Sequence, residues 1–431
     1  MSLPVNFRKL SALERRKTLE QSYDLDGDAM RFTGMSEEAV SFADVMIESA
    51  VGTMPVPLGI AANFVIDGES VDVPLTTEEP SVVAACSYAA RMIGKGGGFR
   101  TEAGEPVMTV QIALEEAHAD AERALEARRE EIRQRVNEVL PSMVSRGGGY
   151  RGADWERLPQ SGLFRVHIHV DVRDAMGANA LNSVGERLAP WIAEVTGARV
   201  LMAILTNSAR QRRTRAEFRL PIRLLRGRGL DEREVARRIV KASEFAREDP
   251  DRAVTHNKGI MNGVSALALA TGNDTRAIEA AVHAHAAASG TYRGLTDYRI
   301  DGEELVGSLE LPLAFGTVGG AVSFHPVARA ALRILGSPSS VRLAAIACAV
   351  GLAQNFAAVR ALVSEGIQHG HMRLHAERLA WQAGASTAEI EPAADELVRR
   401  EVFNLDAARE ALRRLRTATE IGEQPVHDGQ R

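Results

Sequence analysis

The chain has 431 residues, which at roughly 150 residues per domain corresponds to about three structural units. It carries 52 basic and 57 acidic residues, a net charge of -5, which argues against an obligatory nucleic-acid partner, because such proteins concentrate positive charge on one face. Its 45% hydrophobic and 25% charged residues exclude a disordered chain and predict a folded, water-soluble protein.

Targeting and membrane signals are weak. The first twenty residues lack the continuous apolar stretch of a secretory signal. The most apolar stretch, 343–359, contains Gln354 and Asn355, which favours a buried helix over a membrane span. Only two cysteines occur, Cys86 and Cys348, far apart, so a disulfide framework is not expected and a reducing compartment is. We therefore expect a cytoplasmic protein without a membrane contact.

Residues 1–104 predict helices followed by a hairpin and a further helix. Asp67-Gly68 interrupts the alternating apolar positions of NFVIDGESVDVPL, as in a tight β-hairpin turn. A helix is expected to begin near Pro80 and to continue through SVVAACSYAARMI. The glycines of 94–98 interrupt the pattern and indicate a domain boundary.

Residues 105–223 form the best-defined predicted domain. A strand at PVMTVQIAL is followed by a long charged helix over 115–140 and by the alternating strand FRVHIHVDVR. A helix over 178–195 and two strands, RVLMAILT and RTRAEFRLPI, complete it. The order β-α-β-α-β-β predicts a ferredoxin-like domain inserted into the chain.

The predicted fold class is α+β. A large, mostly helical substrate domain is expected from residues 1–104 and 224–367, with one strand at GSLELPLAF. The ferredoxin-like domain of residues 105–223 is inserted into it as the cofactor domain. Residues 368–431 predict a small, charged, helical C-terminal flap.

No common cofactor motif is present. GxGxxG after a strand, the P-loop and GxSxG are all missing. The GGG of 147–149 and the VGG of 318–320 allow a ligand to approach the backbone closely, but turn formation is the ordinary explanation of each.

Closely spaced histidines raise a metal-binding alternative. His167 and His169 share one face of a predicted strand, where solvated polar side chains are the ordinary explanation. His371 and His375 are one helical turn apart, as in zinc sites, but HMRLH lacks the glutamate of HExxH. A metallohydrolase that uses His369, His371 and His375 is the alternative function from a different class.

Three charged residues are ambiguous when each is taken alone. Glu79 stands just before a predicted helix, and Asp274 stands at the start of another, so capping explains both. Lys258 lies in THNKGIMNG, which predicts a glycine-rich loop before an alanine-rich helix. Only their combination points to chemistry.

The chain resembles the 3-hydroxy-3-methylglutaryl-CoA (HMG-CoA) reductases over residues 45–380. The segments that carry the resemblance follow the family's order and spacing: TTEEPSVVAA, DVRDAMGAN, THNKGIMNG, ATGND, GTVGGAV, VGLAQN and EGIQHGHMRLHA. The absence of a serine just after His371 and the short N-terminus are similar to the bacterial class II form, which includes the degradative type.

The resemblance implies interconversion of (S)-HMG-CoA with (R)-mevalonate plus CoA in two hydride transfers, in either direction. It implies NADH or NADPH as cofactor, CoA as co-substrate and no metal. It also implies active sites between the subunits of a homodimer, and a trimer of dimers as the larger assembly.

The resemblance implies a catalytic set of four residues. Lys258 would place its charge on the carbonyl oxygen as it becomes an oxyanion, and Asp274 would pair with Lys258. Glu79 would be a proton donor, favoured by burial near a carboxylate such as Asp274. His371, carried on a flap that closes over the site, would protonate the departing CoA thiolate.

The family motifs also imply binding residues. Those around the HMG group are Ser81, Arg252, Asn262 and Gln354. Those around the cofactor are Asp174, Met176, Gly177, Ala178, Asn179, Asn207 and Leu140. Leu140 stands where NADH-specific members have an aspartate, with Arg146 and Arg151 nearby, so the preference between NADH and NADPH stays open. Two further alternatives are another acyl-CoA-dependent NAD(P) oxidoreductase on the same scaffold and a non-catalytic CoA-binding homologue.

Overall fold

The computed structural model describes residues 9–23, 36–225, 229–364 and 368–422. The strands are β1 Leu58–Ile66, β2 Glu69–Thr76, β3 Phe99–Ala103, β4 Val107–Glu115, β5 Gly149–Arg157, β6 Phe164–Asp171, β7 Arg199–Thr206, β8 Arg213–Pro221, β9 Thr296–Asp301 and β10 Glu304–Pro312. The helices are α1 Ala12–Tyr23, α2 Glu37–Met46, α3 Val82–Gly94, α4 Ala121–Glu126, α5 Arg129–Val139, α6 Pro141–Val144, α7 Ala178–Thr196, α8 Glu232–Glu248, α9 Pro250–Ala270, α10 Thr275–Ala286, α11 Gly320–Phe324, α12 Pro326–Ile334, α13 Ser340–Ser364, α14 Gln368–Gln382, α15 Thr387–Arg400 and α16 Leu405–Gly422.

The chain divides into two units, one up to Pro57 and one from Leu58 onward. In the first unit, the buried Arg15 of α1 forms an ion pair with Asp44 of α2 and donates to the carbonyl of Ala50 at 2.9 Å. Ser36 caps α2 by accepting from the N–H of Ala39.

The second unit contains a six-stranded sheet with the order β2-β1-β3-β8-β10-β9. Only β1 and β3 are parallel among its neighbouring strands. Asp67 and Gly68, with φ of 55° and 84°, join β1 to β2, so the predicted hairpin is confirmed. The aromatic rings of Phe99 and Phe356 pack on Phe218 of β8, at centroid distances of 6.1 and 5.1 Å.

The other sheet has four antiparallel strands in the order β5-β6-β4-β7. With α4–α6 between β4 and β5 and α7 between β6 and β7, this is the ferredoxin-like arrangement β-α-β-β-α-β. The α+β class is confirmed, and the alternating strand β6 lies where the sequence predicts it.

The predicted strand order β-α-β-α-β-β is wrong in two places. Strand β5 was missed because GYRGADWER is polar and lacks clear alternation. The last predicted strand, β8, pairs with β3 and β10 of the six-stranded sheet, because its buried residues Ala216, Phe218 and Leu220 belong to the core of that sheet. The four-stranded sheet therefore ends with β7, and the large domain is less purely helical than expected.

Two helical predictions also change. The predicted helix over 115–140 is replaced by the end of β4 and the two helices α4 and α5, and Pro141, which lacks a backbone N–H, then opens the short helix α6. THNKGIMNG is not a loop but lies inside α9. Its Gly263 lets α9 approach α13 closely, since an added Cβ would lie 2.9 Å from Val350.

Helix α13 is long and apolar enough to cross a membrane by length and composition alone. Most of it is buried inside the protein, as in the core helix of a soluble protein, so the predicted buried helix is confirmed. The C-terminal helices α14, α15 and α16 pack on one another around small apolar clusters.

Candidate active site

A lysine–glutamate pair lies at the open surface between α9 and the turn that follows β2. Lys258 Nζ is 2.5 Å from Glu79 Oε2, and Asn262, one helical turn beyond Lys258, donates to Glu79 Oε1 at 3.3 Å. The Lys258 side chain is 58% exposed, so a ligand has access to its ammonium group. Three predicted site residues are thus brought together.

Ser81 opens α3 two residues after Glu79. Its φ of 74° lies in the left-handed region, which is strained for a residue with a side chain. Its hydroxyl makes no capping hydrogen bond to the helix. A strained residue beside the ion pair, with a hydroxyl that does not cap its own helix, is typical of a functional position.

Arg252 lies in the first turn of α9 and is half-buried, with no carboxylate partner among the described residues. Burial lowers the pKa of its guanidinium. Burial and the charge of Arg252 lower the pKa of His256, one turn away, to about 4, so His256 is neutral at physiological pH. Arg252 is therefore an available cation for an anionic ligand.

Gln354 of α13 is buried next to α3. Its side-chain oxygen accepts a hydrogen bond from the Cys86 thiol at 2.9 Å, and burial raises the pKa of that thiol, which keeps it protonated as a donor. Cys86 thereby fixes which way the Gln354 amide points. Sequence reasoning missed this contact because nothing in the spacing of the two residues indicates it.

Asp274 does not pair with Lys258 within one chain. Its carboxylate caps α10, accepting from the N–H of Ala277 at 3.1 Å. The preceding Asn273 is bonded through its N–H to the carbonyl of Ala268, near the end of α9. At 1.5 Å per residue that point is about 15 Å along the helix from Lys258. Within a single chain, the continuous helix α9 therefore keeps Asp274 apart from Lys258.

A cavity of about 550 Å³ lies where Asp274 is. Three segments line it: Ala175–Ala180, Gly272–Asp274 with Arg276, and Gly316 with Val318–Val322. The predicted cofactor residues Met176, Gly177, Ala178 and Asn179 are among them. The cavity also lies at the N-terminus of the 19-residue helix α7, an arrangement that favours an anion.

The remaining residues of the cofactor set lie elsewhere. The Asp174 carboxylate accepts from the N–H of Ser340 at 2.8 Å, and its carbonyl accepts from Thr317, so it holds the loop rather than lining the cavity. Asn207 is exposed in the turn after β7. Leu140 is only 7% exposed and belongs to the same apolar cluster as Val136 and Met143. A direct contact of Leu140 with a cofactor is therefore not supported, because its side chain is part of the core.

We expect Leu140→Asp to lower the free energy of unfolding by about 3 kcal/mol, because it buries a charge. Val144→Asp is the matched control, since Val144 lies one turn away and is exposed. Denaturant unfolding measures the difference. If Leu140→Asp kept the wild-type free energy of unfolding and changed the ratio of activity with NADH to activity with NADPH, Leu140 would instead be assigned to the cofactor site.

A second cavity, of about 430 Å³, contains three cations that sequence reasoning missed. Arg91 of α3, Lys95 just after the end of α3, and Arg223 line it, and Arg91 stacks over the Tyr88 ring at 5.7 Å. None of the three cations has an ion-pair partner in the described parts of the chain. The scarcity of lysine in a chain rich in arginine was the available signal at Lys95.

The predicted histidines have different surroundings in the structure. The side chains of His369 and His371 lie outside the described residues, although both residues are in α14. Helix α14 contacts the ion-pair region, since its Arg378 donates a hydrogen bond to the carbonyl of Glu78 at 3.1 Å. His375 is exposed, with its ring 6.4 Å from that of Phe403.

His167 and His169 both contact Asp154, at 3.2 and 2.7 Å, in a polar network that also includes Gln111 and Thr109. Within the ranges given above, no group of three or more His, Cys, Asp or Glu is placed to hold a metal ion. The pair is thus part of a side-chain network on the strand surface.

The fold and the site define an α+β protein that pairs an accessible cation–carboxylate couple with a separate anion-favouring cavity at a helix N-terminus. A sequence profile described as "Hydroxymethylglutaryl-coenzyme A reductase" matches residues 11–376. The chain is 44% identical over 416 residues to the 3-hydroxy-3-methylglutaryl-coenzyme A reductase of Archaeoglobus fulgidus, covering 95% of this chain and 94% of that protein. It is 35% identical over 424 residues to the probable reductase of Borreliella burgdorferi, covering 97% of each.

Solved structures agree. The class II reductase of Streptococcus pneumoniae bound to NADPH in open conformations has a TM-score of 0.74 and 41% identity, covering 94% of this chain and 100% of that chain. Another structure of the reductase from the same organism has a TM-score of 0.75 and 40% identity, covering 96% and 100%. The chain therefore belongs to the hydroxymethylglutaryl-coenzyme A reductase family, in its class II form. It is an HMG-CoA reductase, an oxidoreductase that depends on NAD(P), and the resemblance noted in its sequence is confirmed.

Proposed function

We propose that the chain interconverts (S)-HMG-CoA and (R)-mevalonate plus CoA at a site built on the Lys258–Glu79 ion pair. That pair is the observation that carries the proposal. An ammonium group that a ligand can reach stabilises the oxyanion formed when a thioester or aldehyde carbonyl accepts a hydride. Glu79 holds the ammonium in place and is the nearest proton donor or acceptor for the oxygen.

Asp274 completes the site from a second copy of the chain. Within one chain it is too far from Lys258, yet it lines the cavity assigned here to the cofactor. Docking that cavity against the ion pair of the partner would bring Asp274 to Glu79 and Lys258. We therefore propose a homodimer, and larger assemblies of such dimers, with each site shared between two chains.

The substrate would be held by residues around the ion pair. Arg252 offers a half-buried cation for the free carboxylate of the HMG group. Ser81 and Asn262 offer a hydroxyl and an amide, and Gln354 an amide oriented by Cys86. The cavity with Arg91, Lys95 and Arg223 would take the phosphates of CoA, since Arg91 is about 15 Å along α3 from Ser81, a span that the pantetheine arm can cover.

The larger cavity fits a nicotinamide cofactor, which supplies or accepts the hydride when bound. Gly177 precedes α7 with a φ of 101°, so the backbone can lie close to a diphosphate at the helix N-terminus. Gly319 and Gly320 border open space, where an added Cβ would meet nothing within 4 Å. Asp174 holds this loop, and Asn207 follows in the same domain as a weaker contact. The similar reductase of Streptococcus pneumoniae was solved with NADPH, so we propose that NADPH is accepted.

His371 would protonate the CoA thiolate as it leaves. Helix α14, which carries His371, is bonded to the carbonyl of Glu78, next to the ion pair. We expect residues 368–431 to act as a flap that excludes water, with no metal involved. The enzyme would work in the cytoplasm, without nucleic acid or membrane partners.

The variant His371→Gln is expected to slow HMG-CoA reduction by about 100-fold, because the thiolate loses its proton donor. Reduction of free mevaldehyde, which releases no thiol, should change less than about twofold. Steady-state rates with the two substrates make the comparison, and His375→Gln is the matched control on the same helix. An equal loss with both substrates would contradict the assignment.

The overall proposal is tested by following nicotinamide absorbance with the purified full-length protein. HMG-CoA is offered with NADH and with NADPH, and mevalonate plus CoA with each oxidised cofactor. Turnover in these mixtures supports the proposal. Turnover only with other acyl-CoA thioesters would favour the alternative oxidoreductase, and activity abolished by a chelator would favour the metallohydrolase.

A further inference from the structure

Two of the three segments that line the larger cavity are joined by a buried arginine that none of the family motifs contains. Arg212 lies just before β8 and is only 3% exposed. Its guanidinium donates to the carbonyl of Phe315 at 2.6 Å and to the carbonyl of Ala175 at 3.4 Å. Phe315 precedes the loop of Gly316–Gly320, and Ala175 belongs to the loop that leads into α7. The Arg212 side chain therefore connects these two segments of the cavity.

The Phe315–Gly316 peptide group is held from both sides. Its carbonyl accepts from Arg212, and its N–H donates to the side-chain oxygen of Asn273 at 2.7 Å. Gly316 also packs directly against the neighbouring wall, since an added Cβ would lie 2.5 Å from the backbone nitrogen of Met176. This peptide group opens the segment of Gly316–Gly320, whose Gly319 and Gly320 border the cavity.

The buried guanidinium of Arg212 loses its hydration, and nearby negative charges are needed to offset that cost. Burial lowers the pKa of Arg212 to about 10, and the negative charges of Asp171 and Asp174 oppose that shift, so the guanidinium stays charged at neutral pH. Asp171 and Asp174 lie at the end of β6, in the ferredoxin-like sheet, whereas β8 belongs to the six-stranded sheet. An apolar side chain at this place would avoid the desolvation cost of a buried charge. The presence of arginine therefore indicates that its hydrogen bonds are needed to hold the two carbonyl groups in position.

We propose that Arg212 is a positioning residue for the cofactor: it holds the Phe315–Gly316 peptide and the Ala175 carbonyl at the separation that the cofactor needs. The assignment rests on the proposed function, because it takes the cavity as the cofactor site. Arg212 is too buried to touch a ligand, so it acts through the loops. When the loops are already held in place, the binding free energy of the cofactor is not reduced by the entropic cost of ordering them.

The test compares Arg212→Met, Arg212→Lys and Arg213→Met in the full-length protein. Arg213 is the matched control, because it is the next residue, is exposed and pairs with Glu310 on the surface at 3.1 Å. We expect Arg212→Met to raise the cofactor Kd, measured by nicotinamide fluorescence without turnover, by about tenfold. The KM for HMG-CoA and the kcat at saturation should change less than about threefold. Arg212→Lys should fall between, since one ammonium reaches a single carbonyl, and Arg213→Met should match the wild type.

Unchanged cofactor Kd in Arg212→Met, or an equal loss of affinity for cofactor and HMG-CoA, would overturn the inference. A wild-type protein that binds no nicotinamide cofactor would overturn the proposed function instead, which keeps the two failures distinct. Should Arg212→Met not fold, Arg212→Lys, which keeps the charge but reaches a single carbonyl, is compared with the wild type instead. A rise in cofactor Kd without a matching rise in KM for HMG-CoA would then support the inference, and an unchanged Kd would overturn it.

Discussion

Replacement of Lys258 by methionine is expected to lower the kcat of HMG-CoA reduction by about 1,000-fold or more. Lys258 is the cation next to Glu79, and methionine removes its charge while keeping a similar apolar stem. The oxyanion formed at the carbonyl would then lack its counter-charge. Because the side chain is 58% exposed, the substitution should leave the free energy of unfolding nearly unchanged.

The matched control is Lys241→Met. Lys241 lies on α8, is 64% exposed and pairs with Glu244. The Lys241→Met variant therefore loses the same kind of surface ion pair, but away from the site. Steady-state kinetics and thermal unfolding of both variants separate chemistry from folding. Turnover retained in a folded Lys258→Met protein would refute the oxyanion role.

Co-expression of two inactive variants is expected to restore activity. Lys258→Ala disables the ion-pair cluster and Asp274→Asn disables the cavity side, and we place these two clusters in one site only across two chains. Random pairing gives half heterodimers, each with one intact site of two, so about a quarter of the wild-type specific activity should return. Differently tagged copies allow the heterodimer to be purified and assayed.

The control for this experiment is the pair Lys258→Ala and Glu79→Gln. Both residues belong to the same ion-pair cluster, so every heterodimer contains two damaged sites and no activity should return. An inactive heterodimer of Lys258→Ala with Asp274→Asn would show that Asp274 does not act on the ion pair of a partner chain.

Several local structures follow directly from sequence patterns. The period-two apolar positions of β6 place one face in the core, and Asp67-Gly68 takes up positive φ because a tight hairpin demands it. The apolar run of α13 is buried as expected. In each case the signal is local, because neighbouring residues in the chain determine it.

Other features depend on contacts between distant residues. The glycines of THNKGIMNG indicate a loop by local rules, yet Gly263 serves close packing of α9 on α13. The polar strand β5 forms because β6 offers it a partner, and β8 joins the larger sheet because β3 and β10 do. Family likeness placed Leu140 at the cofactor, whereas packing buries it.

The reductase family, the α+β class and the set of candidate site residues follow from the order of residues, because motifs are contiguous and secondary-structure preferences are short-range. Folding in three dimensions decided which of those side chains meet. It joined Glu79 to Lys258, separated Lys258 from Asp274 by about 15 Å along α9, and placed Arg212 between two loops. Sequence spacing cannot supply these pairings, because residues remote in the chain approach only where the packing of sheets and helices brings their backbones together.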